Sequence, residues 1–262
     1  MAPLLVFADD RSPGSDAAWA WVCAQEWPGW RVHVVTVERL GVSHRDPQPA
    51  RQWTPSPPRS APSGAAITEV VHLITDGDPR KVLAEMDADL LVVGPRGTGF
   101  MKSLHIGSVA EALLDCPAAP LLIAKDDTPA RTILLASDGS RHSMQAAKVL
   151  AAMPWIGAAR VTIVGVDEGD GGATHAVSVA AEILAGCAHA VDQRTIAHDP
   201  LTLTVNVRQE LEGYIAEHAC DLVVAGTKGL SGIPRARLGS VANYLAHHVH
   251  CPVLLVRDAE HD

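Results

Sequence analysis

One glycine pattern, written twice, constrains this chain more than any other feature. Gly226-Thr227-Lys228-Gly229 is followed by Gly239-Ser240-Val241, and Gly94-Pro95-Arg96-Gly97 by Gly107-Ser108-Val109. Both copies read G-x2-G-x9-G-S, and the offset between them is constant at 132 residues (226 − 94, 229 − 97 and 239 − 107). Asp89-Leu90 against Asp221-Leu222 and Pro120 against Pro252 keep that offset. One matching glycine would mean little, but this many positions in register mean an internal duplication. In each copy an apolar run leads into the first glycine, Leu90 to Val93 and Leu222 to Ala225. A helical spacing starts at the last glycine, with Val241, Leu245 and Val249 at i, i+4 and i+8. The repeated unit is strand, glycine loop, helix start.

That arrangement suits an anion. Glycines let the main chain come close to a ligand, and the N–H groups at a helix start point at negative oxygens. From Gly226 to Tyr244 there is no Asp or Glu, while Lys228, Arg235 and Arg237 are present, in a chain of net charge −9. The same acidity argues against DNA or RNA as a partner, since phosphate neutralisation needs a basic surface.

The duplication divides the 262 residues into two domains of ordinary size, 1–127 and 131–262. No apolar run reaches the ~18–20 residues that span a bilayer, and the N-terminus has no basic region followed by an apolar core. A soluble, cytoplasmic protein is the expectation. Five cysteines (Cys23, Cys116, Cys187, Cys220, Cys251) in no C-x-x-C arrangement read as free buried thiols.

Within domain 1 a strand, Leu4 to Ala8, ends in Asp9-Asp10-Arg11-Ser12, and Ser15 or Asp16 is placed to cap the helix that follows. A second strand runs from Val32 to Val37. Residues 39–66 hold six prolines and read as an unstructured insertion in place of a covering helix. A third strand (Thr68 to Ile74), a helix opened by Pro79, the glycine unit and a last strand (Leu121 to Ala124) complete the domain. Domain 2 repeats the order: strand Thr132 to Ala136 ending in Ser137-Asp138-Gly139-Ser140, a helix starting at Ser143, strand Val161 to Val166, a helix over 173–191, strand Leu203 to Val207, a helix over 209–218, the glycine unit and strand Val253 to Val256. Alternating apolar strands and amphipathic helices imply a mostly parallel sheet with helices on both faces. Ligands of such sheets bind beyond the carboxyl ends of the strands where strand order reverses. The polar ends of the first and fourth strands, Asp138 with Gly226 and Asp10 with Gly94, are expected to flank that crevice.

These residues resemble the universal stress protein family, and the whole chain except 39–66 resembles its tandem, two-domain form. The G-x2-G-x9-G-S pattern is the specific part; Ser137-Asp138-Gly139-Ser140 and Cys251-Pro252-Val253 are typical companions. The resemblance implies a doubly wound parallel α/β fold in each half, five strands in the order 3-2-1-4-5. It implies ATP as ligand, with or without Mg. Ala136, Ser137 and Asp138 would hold the ribose and adenine edge, Val166 would pack on the base, and Gly226, Gly229, Gly239, Ser240 and Val241 would bind the phosphates. In domain 1 the matching positions are Asp10, Val37, Gly94, Gly97, Gly107, Ser108 and Val109. The resemblance further implies a regulator of stress response or dormancy read by an unidentified protein, without strong catalysis. The two halves would pair through their last strands, and a homodimer of the whole chain stays open. Domain 1 departs at Pro95, which has no N–H, and at Asp9, a second carboxylate that would oppose phosphate. In domain 2, Gln209-Glu210-Leu211 replaces the Gly77-Asp78-Pro79 type of helix start.

Other readings compete. The glycine loop could be a plain turn, and Asp138 could cap a local turn, as Asp does after a strand. His247, His248 and His250 lack a Cys or carboxylate to complete a tetrahedral metal set and suit a helix C-terminus instead. Trp19, Trp21, Trp27 and Trp30 read as core. With no G-x4-G-K-(S/T) loop and no motivated Ser-His-Asp set, a weak ATPase, a nucleotidyl transferase or a nucleotide-free interaction module remain alternatives.

Overall fold

Leu4–Ala8, Leu90–Val93 and Leu222–Gly226 are apolar without alternation, which suits strands covered on both faces. The computed structural model places them so, and it describes residues 2–38, 58–60, 67, 69–96, 106–115, 119–167, 171–197, 207–230 and 238–258. In the first half the order is β1 (Leu4–Ala8), α1 (Pro13–Ala24), β2 (Arg31–Glu38), β3 (Val70–Asp76), α2 (Pro79–Ala84), β4 (Leu90–Val93), α3 (Ser108–Asp115) and β5 (Leu121–Ile123). In the second it is β6 (Thr132–Ala136), α4 (Arg141–Ala151), β7 (Arg160–Asp167), α5 (Gly172–Leu184), β8 (Ala190–Ala197), α6 (Val207–Glu217), β9 (Leu222–Gly226), α7 (Ser240–His248) and β10 (Val253–Val256).

All ten strands form one sheet, β3-β2-β1-β4-β5-β10-β9-β6-β7-β8. Every pairing inside a half is parallel, in the order 3-2-1-4-5. The halves join through β5 and β10, which run antiparallel with Ile123 opposite Val253 and Leu121 opposite Leu255. One layer, α1, α4 and α5, packs on one face, and α2, α3, α6 and α7 pack on the other. Trp19, Trp21, Trp27 and Trp30 are all in the first core. Trp155 of the second half meets Trp21 and Trp27 edge-on there, at centroid distances of 6.0 and 6.3 Å. The two halves therefore share a core as well as a sheet.

Local differences from the sequence reading have local causes. The caps of α1 and α4 are Ser12 and Ser140, whose hydroxyls accept from the Ser15 and Ser143 amides; each helix starts at once after its strand-end turn, Pro13 taking a first-turn position where it costs nothing. Helix α5 ends at Leu184 rather than 191, because Gly186 turns the chain with φ +76. The third strand of the second half is β8, not Leu203 to Val207: Val207 opens α6, and 203–206 lie outside the described residues. Strand β8 pairs only with β7 at the sheet edge, so Asp192, Gln193, Arg194 and Thr195 stay exposed and no apolar run marks it. In the first half β3 starts at Val70, two residues later than expected. Of 39–66, only 58–60 are among the described residues.

Candidate functional site

Strand order reverses in the second half between β7-β6 and β9-β10, so the carboxyl ends of β6 and β9 lie side by side, and Asp138 and Gly226 flank the crevice. Asp138 follows β6 in an exposed turn. Its Oδ1 accepts from the Ser140 amide at 3.0 Å and its Oδ2 from the Leu230 amide at 3.0 Å. The first bond is the Asx turn that Asp favours after a strand. The second ties the carboxylate to the glycine loop, ninety-two residues on in sequence. Ser140 makes a parallel tie, its hydroxyl donating to the Lys228 carbonyl at 3.2 Å.

The glycines fit this packing closely. A Cβ on Gly226 would stand 2.6 Å from the His142 carbonyl carbon, so that glycine lets β9 approach the first turn of α4. A Cβ on Gly229 would stand 2.6 Å from Asp138 Oδ2. A side chain at this glycine would therefore meet the carboxylate before any ligand. Gly239, the N-cap of α7, donates its N–H to the Thr227 carbonyl at 2.7 Å, and a Cβ on it would lie 3.1 Å from that oxygen. Its amide is thus already used. Asn243 makes the first intrahelical bond, back to Gly239. The amides of Ser240, Val241 and Ala242 are those a helix leaves without intrahelical acceptors. Ser240 is exposed, while Val241, Ala136 and Val166 are half-buried and Ser137 is buried, its hydroxyl donating to the Ala176 carbonyl at 3.4 Å. A cavity of about 240 Å³ opens beside the loop between Ser140, Arg141, His142, Gly229, Leu230 and Asp258. There His142 Nδ1 accepts from the Asp258 amide at 3.0 Å.

The first half repeats the frame. Ser12 donates to the Arg96 carbonyl, the Asp10 carboxylate accepts from the Ser12 amide, and Gly107 donates to the Pro95 carbonyl. A Cβ on Gly94 would stand 2.7 Å from Gly14. Ser108 starts α3 and is exposed, Val109 and Val37 are half-buried, and Gly97 lies outside the described residues.

Asp9 departs from its expected role. It is buried, 3% exposed, and does not oppose a ligand. It is neutralised inside the protein: Arg59 donates from Nε to Oδ2 at 2.9 Å and from Nη2 to Oδ1 at 2.7 Å, and Ser15 and the Arg11 amide add bonds at 3.0 Å. Arg59 also reaches Asp16. Burial pushes the Asp9 carboxyl up, but these donors and the guanidinium charge outweigh it and hold the group below its usual range. Arg11 stands at φ 59, where the second half has Gly139 at φ +80, and its guanidinium lies 2.9 Å from Asp9 Oδ2. Nothing in the sequence singles out Arg59 from Arg39, Arg45 and Arg51 of the same proline-rich stretch.

The universal stress protein family model matches residues 2–125 and again 129–257. The chain belongs to the universal stress protein family. Its tandem build is shared with a universal stress protein from Archaeoglobus fulgidus, whose crystal structure superposes with a TM-score of 0.69 at 19% identity, covering 98% of this chain and 99% of that one; this likeness shows the fold. A universal stress protein of Mycobacterium tuberculosis is 24% identical over 200 residues, 69% of this chain and 66% of that protein. One from Synechocystis is 54% identical over 37 residues, 14% of this chain and 24% of the relative. The chain thus spans two-thirds or less of the length of these curated relatives. No helix among the described residues is long and apolar enough to cross a membrane.

Proposed function

We propose that this universal stress protein binds an adenine nucleotide, ATP with or without Mg, at the β6–β9 crevice of its second half, and acts as a nucleotide-dependent regulator rather than a catalyst. One observation carries the reading: the glycine loop, the start of α7 and an exposed carboxylate converge at the topological switch point. Gly239 packs on Thr227 and Lys228, and Gly229 on Asp138, so the three meet in one short chain of contacts. Amides at the start of α7 and the Ser240 hydroxyl suit a polyphosphate, and an Asp138 oxygen with a spare lone pair suits sugar hydroxyls. Val166, at the end of β7, offers an apolar wall for a base. Mg, where present, would be held mainly by phosphate oxygens and water, since it keeps much of its hydration. The first-half crevice has the same frame with Asp10, Val37, Gly94, Gly107, Ser108 and Val109, Gly97 matching by sequence alone, and we assign it second rank because Pro95 lacks an amide donor.

Equilibrium dialysis with ATP, with and without Mg, tests the assignment. Binding should saturate in the native protein and fall at least tenfold in Asp138→Ala, without phosphate release on the same timescale. Unchanged affinity in that variant would place the ligand elsewhere; stoichiometric ADP production would make the protein an enzyme.

A further inference from the structure

At the amino ends of the strands, away from the crevice, Cys220 precedes β9 and Cys251 precedes β10. These are neighbouring parallel strands in the register Val223 with Val253. The Val223 amide still donates to the Pro252 carbonyl at 3.0 Å, so the pairing reaches to the residue after Cys251. Extended two residues, the register sets Cys251 beside Asp221, one position from Cys220. Cys220 itself still closes α6, its amide donating to the Ile215 carbonyl at 3.2 Å after Ala219 at φ 46, so it is released from the strand alternation that would face it away from Cys251. Both thiols enter the same apolar layer, under α6 and α7, and both residues are 8% exposed. The duplication sharpens the point. The positions 132 residues earlier are Ala88 and Ala119, so both cysteines occur only in the second half.

We propose that Cys220 and Cys251 form a redox pair that closes to an intramolecular disulfide under peroxide. One thiolate displaces hydroxide from hydrogen peroxide to give a sulfenic acid. The second thiolate attacks that sulfur and expels its oxygen as hydroxide. The two thiol protons complete two waters, so two thiols and one peroxide give one disulfide. The bridge would enclose β9, the glycine loop and α7, tying the elements of the anion site into one closed loop. Burial pushes the Cys220 thiol up to about 11 and the Cys251 thiol up to about 12, the nearby Lys125 ammonium acting against the second shift. Oxidation is therefore slow at neutral pH and faster as pH rises, because the thiolate is the nucleophile.

The test is peroxide treatment of the folded full-length protein, alkylation of remaining thiols after unfolding, and peptide mapping. The expected result is a cross-linked peptide pair carrying Cys220 and Cys251, a chain lighter by about 2 Da than its reduced form, and a melting temperature raised by about 5 °C. The double variant Cys220→Ala/Cys251→Ala, which restores the residues of the first half, should fold and show none of these. Cys220 and Cys251 both alkylated after treatment, or bridges made instead through Cys23, Cys116 or Cys187, would overturn the proposal.

Discussion

At residue scale the chain spends buried charge only where it is answered. Asp9 is surrounded by Arg59, Ser15 and the Arg11 amide, and removing one partner of a buried pair costs about 3 kcal/mol or more. Asp9→Asn should lose roughly that much at neutral pH, measured by urea unfolding. The native carboxyl sits below the unfolded value of 3.8, so its stabilisation is present above that value and disappears as pH falls through the folded one. The gap between wild type and Asp9→Asn should be full above about pH 4 and shrink as pH falls further, through the lower folded value; a gap that does not shrink on acidification would mean the charge is not its source. Gly229→Ala is the second residue-scale prediction. Its methyl would be forced to 2.6 Å from Asp138 Oδ2, so ATP affinity should fall about tenfold, equivalent to ~1.4 kcal/mol, through displacement of the carboxylate. The glycine positions and Asp138 were legible because a duplicated spacing exposes them; Arg59 was not, because its partner lies fifty residues away and neither residue belongs to a repeat.

At the scale of elements, legibility followed burial. Strands β1, β4, β6, β9 and β10 lie inside the sheet and read as plain apolar runs, whereas β8, at its edge, carries polar residues and was mistaken for part of a helix and a loop. Helix α7 shows how one element serves two ends. Its start belongs to the proposed anion site, and its last turn is held by the first half: Lys125 Nζ donates to the Ala246 and Val249 carbonyls at 2.8 and 2.6 Å, and His247 Nε2 meets Glu111 at 2.9 Å. A cation at a helix C-terminus is favourable, but burial lowers the Lys125 amine to about 8 from 10.5. Between those two values the unfolded chain binds the proton and the folded one does not. Stability from this group should thus rise as pH climbs from about 8 toward 10.5, by up to about 3 kcal/mol. Lys125→Met should lack that rise, visible as a flatter curve of melting temperature against pH; the same slope in both proteins would refute the assignment.

Across the whole molecule, a ten-stranded sheet and a core that includes Trp21, Trp27 and Trp155 join the halves. Trp155 is 7% exposed, and truncating a buried tryptophan costs about 3–5 kcal/mol. Trp155→Ala should lower stability by that order, and the wild type should unfold in one transition when followed by tryptophan fluorescence and by circular dichroism. Two separated transitions would show that the halves are energetically independent. The duplication was legible from the spacing of glycines, while the shared core was not: Trp155 matches Trp27 at the 128-residue offset that pairs Ser12 with Ser140, and a match between copies does not say that the two rings meet. What the fold positions, by this account, is an adenylate between β6 and β9, and the most direct measurement is the small-molecule content of protein purified without denaturation. Mass spectrometry of the released fraction should find an adenine nucleotide in the wild type and in Asp10→Ala, and lose it in Asp138→Ala. A folded wild type that carries none and takes up none from added ATP, or an Asp138→Ala protein that keeps its nucleotide, would contradict the account.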